Sequence, residues 1–174
     1  MAIRTRKTKE EFIKEMQKRI KIRKTIMEFV ENVYFPMMAT KFDGKVYNAR
    51  FINALNEEAK KISDRMYVNR GCINEDIEIS FRMSDWNYND CETIYLKCKT
   101  NAEGRIDYDA TINDRSTKAW IDSFKSYMDE YQKAIDNYDE YMKVFVELNE
   151  SLEKYNELPH TFRGHLDTRW MQIY

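Results

Sequence analysis

The chain has 174 residues, a formal net charge of −1, and 34% charged beside 43% hydrophobic residues. This length suits a single domain over residues 1–174, and the presence of only four Gly and two Pro favours a helix-rich protein. No run of apolar residues approaches the ~18 that a membrane span needs, and the first residues lack the apolar core of a signal peptide. We therefore expect a cytoplasmic protein with no membrane partner. Three cysteines without a CxxC pair predict reduced thiols.

Residues 1–35 are predicted to form a basic N-terminal helix. Thr8 with Glu11 is a capping-box signature at its start, and Pro36 predicts its end. Apolar residues recur along this segment at helical spacing, and Arg23 interrupts the rhythm. A helix with such a stripe is expected to pack along another helix.

Charge is distributed unevenly along the chain. Residues 1–24 carry ten Lys or Arg against three Glu, whereas residues 117–158 carry ten Asp or Glu against five Lys. Four lysines fall on one stripe of the basic helix, namely Lys7, Lys14, Lys18 and Lys21. Such a stripe would bind a nucleic-acid backbone. The favoured interpretation is a solvated helix face, or a match to the protein's own acidic helix.

Residues 36–71 are predicted to contain a hairpin and a second helix. Asp43-Gly44 is a two-residue hairpin signal, and Asn48 is placed to cap the helix that follows. The predicted apolar face of this helix consists of Ile52, Leu55, Ala59, Ile62 and Met66. Gly71 predicts the end of the region near the helix C-cap.

Residues 72–115 are predicted to form an antiparallel sheet. Apolar and polar residues alternate over 77–83, 93–98 and 106–112, which indicates three strands with one buried face. The sequence Asn-Ala-Glu-Gly at 101–104 predicts a tight turn between the last two strands. With the helices on either side, this sheet predicts an α+β fold.

Residues 116–158 are predicted to form one long helix, followed by a tail at 159–174. Apolar residues step along it by four and three residues for five heptads, and this seam consists of Trp120, Phe124, Tyr127, Tyr131, Ala134, Tyr138, Tyr141, Phe145, Leu148, Leu152 and Tyr155. Such heptads predict a coiled-coil-like arm packed with the N-terminal helix. The heptads do not fix the oligomeric state or whether the seam closes within one chain.

The loop at 84–90 is the main candidate for a partner-binding site. Trp and Tyr are the residue types most enriched at interface hot spots, and this loop places Trp86 and Tyr88 at a predicted sheet tip. The polar residues expected to form a rim around them are Asp85, Asn87 and Asp90. The alternative is that Trp86 folds back onto the core.

The sequence contains few signals of catalysis. His160 and His165 are five residues apart, which does not place them on one helical face, and the isolated glycines form no phosphate-binding loop. We therefore predict no metal and no cofactor. Carboxylates that could hold magnesium are Glu75, Asp76, Glu78, Asp85, Asp90 and Glu92, but acids at strand ends are more often solubilising charge. A metal-dependent nuclease is accordingly the third-ranked interpretation.

The chain as a whole is rich in Lys, Asn, Ile, Tyr and Met, as AT-rich coding would give. In composition it resembles the small accessory proteins of phages and mobile elements, a group that includes anti-CRISPR inhibitors. That resemblance implies a stoichiometric inhibitor in a bacterial host cell, which occupies the surface of a CRISPR-Cas nuclease complex. We therefore expect a non-catalytic, macromolecule-binding protein, with nucleic-acid binding through the basic helix as the alternative.

Overall fold

The computed structural model describes residues 5–40, 49–73, 76–84, 91–103 and 107–165. The helices are α1 (Lys9–Phe29), α2 (Phe35–Thr40), α3 (Ala49–Ile62), α4 (Tyr108–Asn113), α5 (Arg115–Asp136), α6 (Tyr138–Glu157) and α7 (His160–Arg163). The strands are β1 (Met66–Ile73), β2 (Asp76–Ser84) and β3 (Cys91–Cys98). The predicted α+β fold, with an N-terminal helix, a long helical arm and a three-stranded antiparallel sheet, is confirmed.

Helix α1 begins as predicted and ends differently. The Thr8 hydroxyl accepts a hydrogen bond from the Glu11 N–H at 3.2 Å, and the Glu11 carboxylate accepts one from the Thr8 N–H at 2.8 Å. The predicted end before Pro36 is wrong, because a π-helical turn (Val30–Tyr34) leads directly into α2, where Pro36 is the second residue. A proline ring normally collides with the carbonyl one α-helical turn earlier, and the wider π-helical turn changes which carbonyl lies beneath the ring.

The sheet has the strand order β1-β2-β3, and both pairs are antiparallel. The strands predicted at 77–83 and 93–98 are confirmed as β2 and β3. The strand predicted at 106–112 is wrong, because the chain from Tyr108 to Asn113 forms helix α4. The side chain of Asp107 accepts the backbone N–H of Ala110 at 2.9 Å and thereby caps a helix start that the alternating pattern concealed.

Strand β1 was not predicted. Met66 was assigned to the second helix and Gly71 to its end, but α3 ends at Ile62 and both residues lie in β1. Met66 pairs with Met83 across the sheet. An apolar residue that follows a helix fits either a further helical turn or a strand, and here the pairing with β2 makes Met66 part of a strand. The three strands therefore begin at Met66 and end at Cys98, and do not follow the predicted bounds 72–115, while α3 ends before them at Ile62.

The core lies between the sheet and helices α1 and α3. Alternate residues of β3 are buried, namely Glu92, Ile94, Leu96 and Cys98. Large aromatic rings fill the space above the sheet, and the ring of Tyr34 contacts that of Phe81 with centroids 4.8 Å apart. Burying each such side chain contributes roughly 1.5–3 kcal/mol. Cys91 and Cys98 are free thiols, and Cys98 is buried, whereas Cys91 is only half-buried and not buried as expected.

The long arm consists of two successive helices, α5 and α6, and not of one unbroken helix. Asn137 lies between them with φ −109° and ψ 18°, outside the helical range. Hydrogen bonds continue across it, because its N–H donates to the Lys133 carbonyl at 3.0 Å and its carbonyl accepts the Tyr141 N–H at 3.0 Å. The heptad pattern therefore predicted the arm, while one local dihedral change divides it.

Helix α1 packs antiparallel along α5 and reaches only the start of α6. The ring of Phe12 contacts that of Tyr138 with centroids 5.4 Å apart, and the ammonium of Lys9 lies 2.6 Å from the carboxylate of Asp139. At the middle of α5, Lys125 pairs at 2.6 Å with Glu31, which lies just beyond the end of α1. The Lys9–Asp139 pair joins a base of the N-terminal helix to an acid of the arm, as the charge pattern predicts. The Lys125–Glu31 pair has the opposite polarity, with the base on the arm.

Several predictions lie outside the described residues. These are the Asp43-Gly44 hairpin, the Asn48 cap, the binding loop from Asp85 to Asp90, and the tail beyond His165. None of the described helices is both long enough and apolar enough to cross a membrane.

Asp114 generates a prediction about stability and pH. Its carboxylate accepts hydrogen bonds from the hydroxyl of Ser116 and from the backbone N–H groups of Ser116 and Thr117, which lower its pKa from 3.8 to about 2. Asp114 is the N-cap residue of α5, and replacing it should cost about 0.5–2 kcal/mol of unfolding free energy at neutral pH. Because the folded-state pKa is lowered, this contribution is complete above the unfolded pKa of 3.8 and disappears as the pH falls towards 2.

Urea unfolding of Asp114→Ala across this pH range checks the expectation. Asp122→Ala, which removes an exposed acid from the outer face of α5, is the control and should change the unfolding free energy by less than about 0.5 kcal/mol. A difference between the parent and Asp114→Ala that stayed constant down to the lowest pH would contradict the capping role.

Candidate binding surface

A buried charge cluster lies where α1, α5 and β3 meet. Glu92 on β3 is only 3% exposed, and both of its carboxylate oxygens bind arginines of α1. One oxygen accepts from Arg19 at 2.9 Å and the other from Arg23 at 2.5 Å. The hydroxyl of Tyr131 on α5 donates to the same carboxylate at 3.2 Å. The cluster thus joins all three elements through one acid.

Arg23 extends this cluster into α5. One of its amino groups donates to the backbone carbonyl of Phe124 at 2.8 Å. Its guanidinium carbon lies 4.1 Å from the ring centroid of Phe124, 4.9 Å from that of Tyr127 and 5.5 Å from that of Tyr131. Stacking a cation on aromatic faces is favourable by ~2 kcal/mol or more where water is excluded. Arg23 therefore fixes the orientation of three aromatic side chains on one face of α5.

The pKa values of the neighbouring groups reflect this arrangement. Burial alone would lower the pKa of Arg19, but the hydrogen bonds and charges of Glu92 and Glu15 outweigh it and raise that pKa above its usual value. Burial and the nearby Glu92 carboxylate raise the pKa of the Tyr131 phenol. Arg19 therefore stays charged and Tyr131 stays protonated, which keeps the Tyr131 hydroxyl a hydrogen-bond donor near neutral pH.

Beside the cluster, an open cleft of about 290 Å³ lies between α5 and β3. Its walls are formed by Arg23, Thr93, Ile94, Tyr95, Trp120, Ser123, Phe124 and Tyr127. Three of the large rings remain partly in solvent, since Trp120 is 41%, Tyr127 44% and Tyr95 46% exposed. Trp120, Phe124 and Tyr127 share one face of α5 because they are spaced by four and three residues. We call these residues the aromatic cleft.

The aromatic cleft is suited to binding a side chain of another macromolecule. Its volume lies at the lower limit of the roughly 300–1,000 Å³ typical of small-molecule sites. The charge of Arg23 in its floor is balanced by Glu92, so the cleft presents aromatic surface more than net charge. Exposed Trp and Tyr around a small depression are typical of protein-binding hot spots.

The binding site predicted from the sequence involves other residues. Trp86, Tyr88, Asp85, Asn87 and Asp90 fall outside the described residues, so their role stays a prediction. Trp120 and Tyr127 of α5 are predicted from the heptads to be part of the helical seam, but both are exposed. Their exposure shows that the seam packs closely at Phe124, while Trp120 and Tyr127 on either side of it open towards the cleft.

The lysines proposed for nucleic-acid binding lie away from the cleft. At about 100° per residue, Lys14 and Lys21 are on the side of α1 opposite to Arg23. The ammonium of Lys7 pairs with the carboxylate of Glu15, which lowers the pKa of Glu15. Lys18 also takes part in an interaction. None of these lysines lines the aromatic cleft, so the stripe and the cleft are separate surfaces.

The carboxylates considered for magnesium are not arranged as a metal site where they are described. Glu92 is occupied by two arginines, and Glu78 lies in the interior of β2 and is also buried. Among the described residues, no group of three or more His, Cys, Asp or Glu side chains is placed to hold a metal ion. His160 begins the short helix α7, and both it and His165 are exposed.

The charge cluster was missed by sequence reasoning although a signal was present. Arg23 falls at an apolar position of the α1 rhythm. Glu92 precedes Ile94 by two residues, and therefore lies on the buried face of β3. Two opposite charges at positions patterned for the core predict each other as partners, because an unpaired buried charge is too costly to retain.

Comparison with protein-family models, with curated proteins and with solved structures found no match. The cleft and the cluster are therefore interpreted from their own geometry.

The cluster predicts a large effect of a small substitution. Glu92→Gln keeps the shape but removes the charge that compensates two arginines, of which Arg23 is buried. Breaking a buried pair in this way typically costs ~3–5 kcal/mol of unfolding free energy. Glu31→Gln is the control, because the pair of Glu31 with Lys125 is almost half exposed and should contribute at most ~1 kcal/mol. Urea unfolding of both variants measures the difference, and equal costs would show that the cluster does not hold the three elements together.

Proposed function

We propose that the protein is a non-catalytic binder of another protein and that the aromatic cleft receives a side chain of that partner. The observation that carries this proposal is the set of partly exposed rings of Trp120, Tyr127 and Tyr95 around one depression. An aromatic side chain buries on the order of 150–250 Å² when it is fully enclosed, and the 41–46% of these residues that is still exposed is the part that a partner would cover. Leaving them in water gives the isolated protein no benefit, whereas a partner would bury them.

The rigidity of the cleft supports the same proposal. Phe124 and Tyr127 are held by the guanidinium of Arg23, which itself is fixed by Glu92. A preorganised aromatic surface loses little side-chain entropy when a partner binds. This favours a stoichiometric binder. The sharpest form of the proposal is inhibition of a bacterial defence nuclease such as a CRISPR effector, which the compositional resemblance implies.

Capture of partners with matched baits tests the proposal. The baits are the parent, Trp120→Ala/Tyr127→Ala as the cleft variant, and Trp86→Ala/Tyr88→Ala as the loop variant. Tyr67→Ala is the control, because Tyr67 is also 41% exposed but lies on β1, at the opposite edge of the sheet from β3. Bacterial lysate that contains CRISPR effectors is applied to all four, and retained proteins are identified by mass spectrometry.

A protein retained by the parent and by Tyr67→Ala but lost from the cleft variant is the expected result. For that protein, calorimetry should show a loss of at least ~2 kcal/mol in binding free energy, the scale of a hot spot. Loss from the loop variant alone would move the site to the loop predicted from the sequence. Salt-sensitive retention of nucleic acid alone, unaffected by the cleft variant, would favour the basic helix and contradict the proposal.

A further inference from the structure

Helix α6 has an apolar face that remains accessible beyond Tyr138. None of its 20 residues is buried. Helix α1 covers the seam as far as Tyr138, whose ring contacts that of Phe12. Because α1 begins at Lys9, only three residues before Phe12, it ends near this point of the arm. Farther along the arm, Tyr141 is 53% and Val144 62% exposed. Seam residues that follow these are only partly covered, namely Phe145, Leu148, Leu152 and Tyr155.

The charges of α6 are arranged so that a copy of the same helix can pack on this face. With the seam residues at heptad positions a and d, all eight charged residues fall at b, c and f, namely Asp139, Glu140, Lys143, Glu147, Glu150, Glu153, Lys154 and Glu157. The flanking e and g positions are uncharged throughout, namely Met142, Val144, Asn149, Ser151 and Asn156. Like charges at e and g are what normally prevents an acidic helix from pairing with itself. In α6 this obstacle is absent.

The same face is self-complementary in size. In an antiparallel pair with a two-fold axis between residues 146 and 147, Phe145 lies opposite Leu148 of the other copy and Tyr141 opposite Leu152. A large aromatic side chain thus meets a smaller aliphatic one in these layers, which suits interdigitated packing, while Tyr138 lies opposite Tyr155 in the outer layer. A two-fold axis makes each of these contacts occur twice.

The available area is sufficient for a specific but modest interface. A helix of 20 residues is about 30 Å long, and half the lateral surface of a cylinder about 10 Å wide is on the order of 500 Å². Two copies would therefore bury on the order of 1,000 Å², which reaches the lower limit for a biological interface. We propose that the apolar face of α6 binds a second copy of this chain as an antiparallel two-helix coiled coil, independently of what the aromatic cleft binds.

Sedimentation over a concentration series tests this proposal with the full chain. The parent should pass from a monomer of 21.1 kDa to twice that mass as concentration rises. Phe145→Glu should remain monomeric at concentrations where the parent is dimeric, because it places a charge in the seam. Val146→Glu is the matched control, since Val146 is 51% exposed at a b position next to Phe145 and lies outside the seam.

All three proteins should show the same helix content by circular dichroism, since α6 buries none of its residues in the monomer. A parent that stays monomeric throughout would overturn the proposal and leave the face to a different partner. Equal weakening by Phe145→Glu and Val146→Glu would also overturn it, because the contact would then not follow the seam.

The orientation has a separate test at the flanking positions. In the antiparallel pair, Val144 of one copy lies beside Ser151 of the other. Val144→Glu/Ser151→Glu should therefore raise the dimer dissociation constant by at least about tenfold at low salt, through two like-charge contacts. Val144→Lys/Ser151→Glu should retain or strengthen the dimer. If both double variants dimerise equally well, the antiparallel arrangement is wrong.

Discussion

The rest of the structure depends on the contact between Glu92 and the two arginines of α1. The acid comes from an edge strand of the sheet, the bases from the first helix, and a third hydrogen bond from Tyr131 on the arm. Removing such charges from water is costly, so the arrangement persists only while every member is in place. One Arg23 nitrogen, Nε, is buried and has no hydrogen-bond partner in the described structure, which adds to that cost. The cluster is therefore better understood as fixing geometry than as a large source of stability.

This geometry links the core to the aromatic cleft. Arg23 holds α5 through the Phe124 carbonyl and through the faces of the aromatic rings. Trp120 and Tyr127, one turn to either side of Phe124, are thereby directed towards β3 and stay partly exposed. The proposed binding surface therefore depends on the position of the buried Arg23 guanidinium. The arm beyond Asn137 lies outside this system, which explains how α6 can carry an uncovered apolar face without affecting the core.

Much of the fold could be predicted because local signals agree with the final structure. The Thr8–Glu11 capping box, the alternation in β2 and β3, and the heptads of the arm are each decided by nearby residues. The failures occur where a longer-range contact or one side chain decides between two patterns. The segment at 106–112 alternates like a strand, but Asp107 caps a helix there, and Met66 fits both a helix and a strand until β2 pairs with it. Pro36 is tolerated because of the π-helical turn that precedes it.

The candidate site was less accessible to sequence reasoning than the fold. Exposure of Trp120 and Tyr127 depends on how closely α1 and β3 approach α5, which no local pattern specifies. What the sequence does show is two charged residues, Arg23 and Glu92, at positions patterned for the core. Departures from an otherwise consistent pattern are where specific or functional contacts are expected. Here they mark the cluster that shapes the cleft.

A double-mutant cycle on Arg23 and Glu92, measured by urea unfolding, tests the central claim most directly. Arg23→Met leaves Glu92 with Arg19 as its arginine partner, and Glu92→Gln leaves the buried Arg23 without its carboxylate, whereas the double variant removes both charges of this pair. The account predicts that the double variant is much less destabilised than the sum of the single variants, with an interaction free energy of about 2–3 kcal/mol. An interaction free energy near zero would contradict the account, because the two residues would then act independently.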